Sequence, residues 1–121
     1  MAPRILIVDD EQIVVFTLER MLTRAGYQTE SALSGREAEE RLKEARFDVA
    51  IVDLFMPDIN GFQLLEWMQA NTPDVVPMVL SGTSSVLDAL KAVEKGAFDF
   101  VSKPIENQED FVQHIERAVE Q

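Results

Sequence analysis

The feature that most constrains the fold is a regular alternation of short apolar runs with segments of helical spacing. Five runs predict strands, at residues 5–8, 27–32, 49–52, 78–80 and 98–101. The runs at 5–8 and 49–52 are continuous and rich in β-branched residues, as is typical of strands buried on both faces. This alternation, with short connections, predicts one α/β domain in which helices cover both faces of a parallel sheet.

The helical segments carry start and stop signals. Gly26 follows the first segment as a terminator, and Ser34 with Glu37 has the spacing of a capping box before the second. The polar residues within the run at 27–32 indicate an edge strand, where one side meets water. The fourth helical segment carries an apolar set at helical spacing, namely Val86, Leu90 and Val93.

Length and charge limit what this domain can do. The 121 residues suffice for one domain with a substantial core, and we assign residues 1–121 to it. The last predicted helix reaches Gln121 without a glycine or proline stop, so a complete single-domain protein and the N-terminal part of a longer one remain alternatives. Eleven basic against 22 acidic residues give a formal net charge of −11, which argues against direct binding to a nucleic-acid backbone.

Other properties of the sequence indicate where the protein works. Cysteine is absent, which excludes disulfides and thiolate chemistry. No apolar run approaches the roughly 18 residues that a membrane span requires, so we expect no membrane partner. The run at 5–8 is too short for the core of a signal peptide, so we expect a cytoplasmic location.

Polar side chains follow four of the predicted strands. Asp9 and Asp10 come after the first strand, Asp53 after the third, Ser81 after the fourth and Lys103 after the fifth. The carboxyl ends of parallel strands lie on one edge of a sheet, which is where open α/β sheets bind ligands. Converging carboxylates favour a hard cation such as Mg²⁺, and a lysine with a hydroxyl suits a phosphoryl group. The set predicts phosphoryl transfer to an aspartate, and we expect Asp53 to be the nucleophile.

In this order, the motifs resemble the CheY-like receiver domain of bacterial two-component response regulators. The resemblance rests on Asp9-Asp10, on residues 53–57, on Ser81 and on Lys103-Pro104, and it covers essentially the whole chain. It implies a flavodoxin-like (βα)5 three-layer sandwich with a five-stranded parallel sheet. The strand order 2-1-3-4-5 is taken from the family and does not follow from the sequence pattern.

The resemblance also implies roles for the site residues. Asp53 would accept the phosphoryl group as an acyl phosphate. Asp10 and Asp53 would ligate Mg²⁺ or Mn²⁺ directly, with the backbone carbonyl of Phe55 as a third protein ligand. Asp9 would act through metal-bound water, and Lys103 would pair with the phosphoryl oxygens.

Two further residues would couple the site to the rest of the domain. Ser81 would swing to donate a hydrogen bond to a phosphoryl oxygen, and Phe100 would turn inward behind it as an aromatic switch. The Lys103-Pro104 peptide bond resembles one that is cis in the family. Phe55 departs from the polar residue of many relatives, and Phe100 lacks the hydroxyl of the common tyrosine.

The function implied is a phosphorylation-dependent signalling switch, not a metabolic enzyme. A sensor histidine kinase or a phosphotransfer protein would supply the phosphoryl group. The surface formed by the fourth helix, fifth strand and fifth helix would then control an output domain or a partner. A second copy of the chain, which would give a homodimer, is one candidate partner.

Three other functions place different demands on the same residues. An FMN-binding electron carrier needs a hydroxyl- and glycine-rich phosphate loop after the first strand, whereas Asp9-Asp10-Glu11 would repel a phosphate. An aspartyl-phosphate hydrolase usually places an acid close to the nucleophile after the same strand, whereas Leu54 and Phe55 follow Asp53. A degenerate receiver without phosphorylation is disfavoured, because no key position is missing.

Overall fold

The computed structural model describes residues 2–83 and 85–121, so Ser84 of the predicted loop after the fourth strand lies outside the described residues. Within these ranges five strands and five helices alternate in sequence. Their bounds are β1 (Arg4–Val8), α1 (Gln12–Arg24), β2 (Gln28–Ala32), α2 (Gly35–Glu44), β3 (Val49–Val52), α3 (Gly61–Asn71), β4 (Val76–Ser81), α4 (Val86–Glu94), β5 (Asp99–Ser102) and α5 (Gln108–Val119). None of these helices combines the length and apolarity that a membrane span requires.

The strands form one parallel sheet in the order β2-β1-β3-β4-β5, which confirms the expected fold class and order. β2 lies at one edge, as its polar residues indicated. In register, Val8 of β1 lies beside Val52 of β3, and Val52 lies beside Val79 of β4. β4 is longer than predicted, because it begins at Val76 and includes Ser81.

The two faces of the sheet have separate cores, which explains why the central strands are continuously apolar. In β1, Ile5 and Ile7 pack with α1 and α5, whereas Leu6 and Val8 pack with α2 and α3. A strand covered on both sides needs an apolar residue at every position. The result is a three-layer sandwich, with the carboxyl ends of all five strands at one edge.

The apolar set of helix α4 is present at the predicted spacing, but it faces away from the core. Val86 is 72% exposed, Leu90 57% and Val93 56%, and Ala92 is the buried residue of the helix. α4 lies next to β5, beyond which the sheet has no further strand for a wide apolar face to cover. Polar side chains help to hold it to α3: Lys91 Nζ lies 4.4 Å from the Phe62 ring centroid, and Lys95 Nζ lies 2.9 Å from Glu66 Oε1.

The helix cap predicted at Ser34 is present, but Glu37 has a different hydrogen-bond partner from the one that a capping box requires. Ser34 Oγ accepts a hydrogen bond from the Glu37 N–H at 3.1 Å, but the Glu37 carboxylate accepts from Leu33 N and not from Ser34 N. A complete capping box, which the sequence reasoning missed, is formed by Asn60 and Gln63 at the start of α3. Its signal was Asn followed three residues later by Gln.

Gly61 fixes how β3 leads into α3. Its N–H donates to Leu54 O at 2.8 Å, and a Cβ at this position would lie 2.5 Å from Asp53 O and 2.6 Å from Leu54 Cα. Both atoms belong to the backbone, so they cannot rotate away. The glycine therefore allows the first turn of α3 to pack directly on the backbone of Asp53.

We predict that Gly61→Ala lowers the free energy of unfolding by about 1–3 kcal/mol, because the methyl group overpacks a rigid contact. Gly82→Ala is the matched control, since a Cβ there meets no atom of the described residues within 4 Å. Chemical denaturation of the two variants measures the difference. Equal stability of Gly61→Ala and the wild type would contradict the proposed close contact.

Candidate functional site

Three carboxylates meet at the carboxyl edge of the sheet, as predicted. Asp9, Asp10 and Asp53 each offer an oxygen atom, and these atoms all lie within 4.8 Å of one another. The strand register produces this cluster, because Asp9 and Asp53 directly follow the neighbouring residues Val8 and Val52. Asp9 is 2% exposed and Asp53 5%, whereas Asp10 is exposed.

Lys103 reaches this cluster from the end of β5. Its backbone N–H donates to Ser81 O at 2.8 Å, which fixes the residue beside β4. Its Nζ atom lies 2.8 Å from Asp9 Oδ2, 3.3 Å from Glu11 Oε1 and 3.4 Å from Asp53 Oδ2. The sequence placed Lys103 at this edge but missed Glu11, whose one signal was its position directly after Asp9-Asp10.

The charges at the cluster are not balanced. Burial raises the pKa of the Asp53 carboxyl above its ordinary value; Lys103 acts in the opposite direction, and the charge of Asp9 adds to the rise. Burial alone would lower the pKa of Lys103, but its hydrogen bond to Asp9 and the charges of Asp53 and Asp9 raise it above its ordinary value. Lys103 therefore remains charged, but its single positive charge does not offset the free-energy cost of burying the carboxylates.

This donor set fits a small, hard divalent cation. Carboxylate oxygens are the ligands that Mg²⁺ prefers, and Mg²⁺ sites in proteins commonly use one or two of them with several waters. The exposure of Asp10 leaves room for such waters. A cation here would also offset the burial and the repulsion from Asp9 that together raise the pKa of Asp53.

Ser81 supplies a hydroxyl that has no hydrogen-bond partner within the described residues. Ser81 is the last residue of β4 and is 0% exposed. Its Oγ atom is buried, and no described group donates a hydrogen bond to it or accepts one from it. Leaving a buried hydroxyl unsatisfied costs about 1–3 kcal/mol. An acceptor arriving at the carboxyl edge of the sheet would remove that cost.

Two aromatic residues flank the site in different ways. Phe55 is 55% exposed, so its ring lies on the surface, while its backbone N–H donates to Asp53 Oδ1 at 3.4 Å. Phe100 pairs with Val79 in the sheet and is half-buried. Its ring lines a cleft with the exposed apolar side chains of α4, including Val86 and Leu90. The inward turn expected of Phe100 stays a prediction.

The peptide bond between Lys103 and Pro104 is cis, as the resemblance implied.

Asp58 anchors the loop that follows Asp53 to the start of α2. Its two carboxylate oxygens accept from Gly35 N at 3.1 Å and from Arg36 N at 3.0 Å. A Cβ at Gly35 would lie 2.7 Å from Ile59 Cβ, so the loop packs closely on the helix terminus. Asp58 is exposed, and its slight burial raises its pKa. The hydrogen bonds from the N–H groups of Arg36, Ile59 and Gly35 outweigh this effect and lower the pKa below its ordinary value.

Comparison with known proteins agrees with this geometry. A model of the response regulator receiver domain family matches residues 5–116. The transcriptional regulatory protein PrrA of Mycobacterium leprae is 38% identical over 103 residues, which are 85% of this chain and 44% of PrrA. The chemotaxis protein CheY of Thermotoga maritima is 34% identical over 88% of this chain and 89% of its own.

This chain is also similar to a solved receiver domain structure. The solution structure of the beryllofluoride-activated NtrC4 receiver domain dimer has a TM-score of 0.91 and 39% identity, covering 97% of this chain and 96% of that one. The matched region spans less than half the length of PrrA, which is a longer protein.

The Asp58 anchor predicts a pH-dependent stability. A carboxyl with a lowered pKa stabilises the fold above its unfolded pKa, about 3.9, and this contribution is lost as the pH falls through the folded value. Asp58→Ala should cost about 1 kcal/mol at pH 7, and the difference from the wild type should shrink below about pH 4.

Ser34→Ala is the matched control, because it removes another cap of α2 that does not ionise. Its cost should be the same at pH 7 and pH 3, measured by denaturant unfolding. An Asp58→Ala cost that also stays constant down to pH 3 would be evidence against the anchor.

Proposed function

The chain belongs to the response regulator receiver domain family, phosphorylation-dependent switches of two-component signalling, and we propose that Asp53 is its phosphoacceptor. One observation carries the residue assignment: a buried carboxylate lies within reach of two further carboxylates and the Lys103 ammonium. We further propose that residues 1–121 form one receiver domain, which acts either on an output domain of the same chain or on a separate partner. Relatives of both lengths match, since the matched region covers 44% of PrrA and 89% of CheY.

The proposed reaction begins with an Asp53 carboxylate oxygen attacking the phosphorus of a phosphohistidine. The donor is a sensor histidine kinase or a phosphotransfer protein. The P–N bond breaks, the donor imidazole leaves with the bonding electron pair and takes a proton, and an acyl phosphate remains on Asp53. Lys103 pairs with a phosphoryl oxygen, and the unsatisfied Ser81 hydroxyl donates to another.

A divalent cation, Mg²⁺ or Mn²⁺, would be held by Asp10, Asp53 and the Phe55 carbonyl, with Asp9 acting through water. When bound, it would neutralise charge on the carboxylates and on the transferring phosphoryl group. Backbone and side-chain groups of this chain meanwhile orient the acceptor. Gly61 and Asp58 hold the Asp53 loop from its two sides, and Lys103 supplies a fixed positive charge.

The donor protein would dock beside Lys103. Ile13 and Phe16 on α1 are 75% and 57% exposed, although both are large and apolar. A cleft of about 460 Å³ lies next to Ile13 and is lined by Lys103 and Ile105. An apolar surface that borders the phosphoacceptor site suits a partner that must deliver a phosphoryl group to it.

The readout surface would be α4, β5 and α5. The outward apolar residues of α4 offer a binding face, and β5 is tied to α5 by a hydrogen bond between Asp99 and His114. Phosphorylation would shift an equilibrium between two arrangements of the Ser81 loop, Phe100 and this surface. A second copy of the chain is one candidate partner, since the NtrC4 receiver domain structure is a dimer. We infer that the protein works in the cytoplasm and signals without metabolic turnover, and that this domain does not itself bind nucleic acid.

The direct test is mass spectrometry after incubation with acetyl phosphate and Mg²⁺. The wild type should gain about 80 Da, a gain that Asp53→Asn should lack, because the amide is not a nucleophile. Lys103→Met should reduce the extent strongly, since its charge on the phosphoryl oxygens is lost. A gain of the same mass in Asp53→Asn would overturn the assignment, and rapid turnover of phosphate esters would favour the hydrolase.

The readout surface has its own test in hydrogen exchange. Beryllofluoride with Mg²⁺ should change amide exchange in α4 and β5 more than in α2, because a switch acts through the least firmly packed elements. Asp53→Asn treated in the same way is the control and should show no change. Changes confined to α2 would contradict the proposed surface.

A further inference from the structure

Lys103 has more carboxylate partners than the proposed reaction uses. An ammonium group has three N–H donors, and here three carboxylates surround it. Asp9 and Asp53 belong to the phosphoacceptor site, whereas Glu11 has no role in the mechanism described above. Its Oε1 atom lies 3.3 Å from Lys103 Nζ, slightly closer than Asp53 Oδ2.

The three partners differ in how readily they can release Lys103. The side chains of Asp9 and Asp53 are 3% and 6% exposed, so they are confined beside the ammonium group. The Glu11 side chain is 58% exposed and can return to water at little cost. A phosphoryl oxygen that needs a donor from Lys103 would therefore displace Glu11 first.

The backbone holds Glu11 at this position independently of its side chain. Glu11 N donates to Asp9 Oδ1 at 2.9 Å, and Glu11 occupies the N-cap position of α1. Its side chain makes no capping hydrogen bond and extends to Lys103 instead. A negative side chain at a helix N-terminus is common, but the contact with Lys103 is not needed for that effect.

We propose that Glu11 is a positioning residue that competes with the phosphoryl group for Lys103. In the unphosphorylated protein its carboxylate occupies one donor of the ammonium group. On phosphorylation it gives up that donor to a phosphoryl oxygen. This inference rests on the proposed function, and it means that Glu11 lowers the affinity of the site for a phosphoryl group and biases the switch toward the unphosphorylated state.

Three variants separate the contact from its alternatives. Glu11→Gln removes the charge at nearly constant size. Glu11→Asp keeps the charge but withdraws it by one methylene, about 1.5 Å, from Lys103. Glu109→Gln makes the same change of net charge at an exposed position of α5, which forms no ion pair within the described residues.

The measurement is the affinity for beryllofluoride, a phosphoryl mimic, at saturating Mg²⁺ by calorimetry. Glu11→Gln should bind roughly two- to fivefold more tightly than the wild type, the range expected for loss of an exposed ion pair. Glu11→Asp should resemble Glu11→Gln, and Glu109→Gln should resemble the wild type. Added salt should narrow the difference, because it screens the exposed Glu11–Lys103 contact in the wild type.

Melting temperatures without Mg²⁺ and beryllofluoride give an independent readout. Glu11→Gln should melt close to the wild type, so a changed affinity would not reflect a changed fold. If Glu11→Asp binds like the wild type while Glu11→Gln binds more tightly, general charge repulsion explains the effect and the contact is refuted.

Equal affinity of Glu11→Gln and the wild type would also refute the role of Glu11. In that case the proposed function still stands, provided that Asp53→Asn abolishes binding. Binding that survives Asp53→Asn would overturn both.

Discussion

The repulsion between the buried carboxylates of Asp9 and Asp53 is the interaction on which the site depends. It cannot be avoided in this fold, because β1 and β3 are neighbours in register and each ends one residue before its aspartate. The two-sided core holds both strands rigidly, so the carboxylates cannot move apart. Relief must come from a positive charge, and Lys103 provides one from β5, two strands away from β3.

The sequence predicts the parts of this arrangement that depend on strand ends. Apolar runs locate the strands, parallel pairing brings their ends together, and Asp9, Asp53 and Lys103 are found where expected. The strand order came from the family resemblance, because a one-dimensional pattern does not contain it. The contact of Glu11 with Lys103 depends on how one flexible side chain turns at a helix start, and nothing in the residue spacing determines that. The outward face of α4 was missed for a different reason: amphipathic spacing shows that a helix has an apolar face but not whether a core is there to receive it.

The loop after Asp53 shows how ordinary helix capping sets the geometry of the candidate site. Asn60 and Gln63 cap α3, and Gly61 brings that helix start onto the backbone of Asp53. Asp58 caps a different helix, α2, with the same short segment. The loop is therefore shared by two helix termini, whose unpaired N–H groups would otherwise need other partners. Its shape is set by requirements of the helices as much as by the chemistry at Asp53.

The thin packing of α4 has a consequence for the energy scale of signalling. Reversing a two-state equilibrium from 1:99 to 99:1 requires about 5.5 kcal/mol of differential interaction. In the proposed mechanism a phosphoryl group gains hydrogen bonds from Lys103 and Ser81, and each bond to a charged group would supply about 1.5–3 kcal/mol. That input is too small to repack a helix anchored by several buried leucines. It is of the right size for a helix seated on Ala92 and held by side chains at the surface. If α4 moves as proposed, the small residue at its core side matches the stiffness of the helix to the work that one phosphoryl group can do.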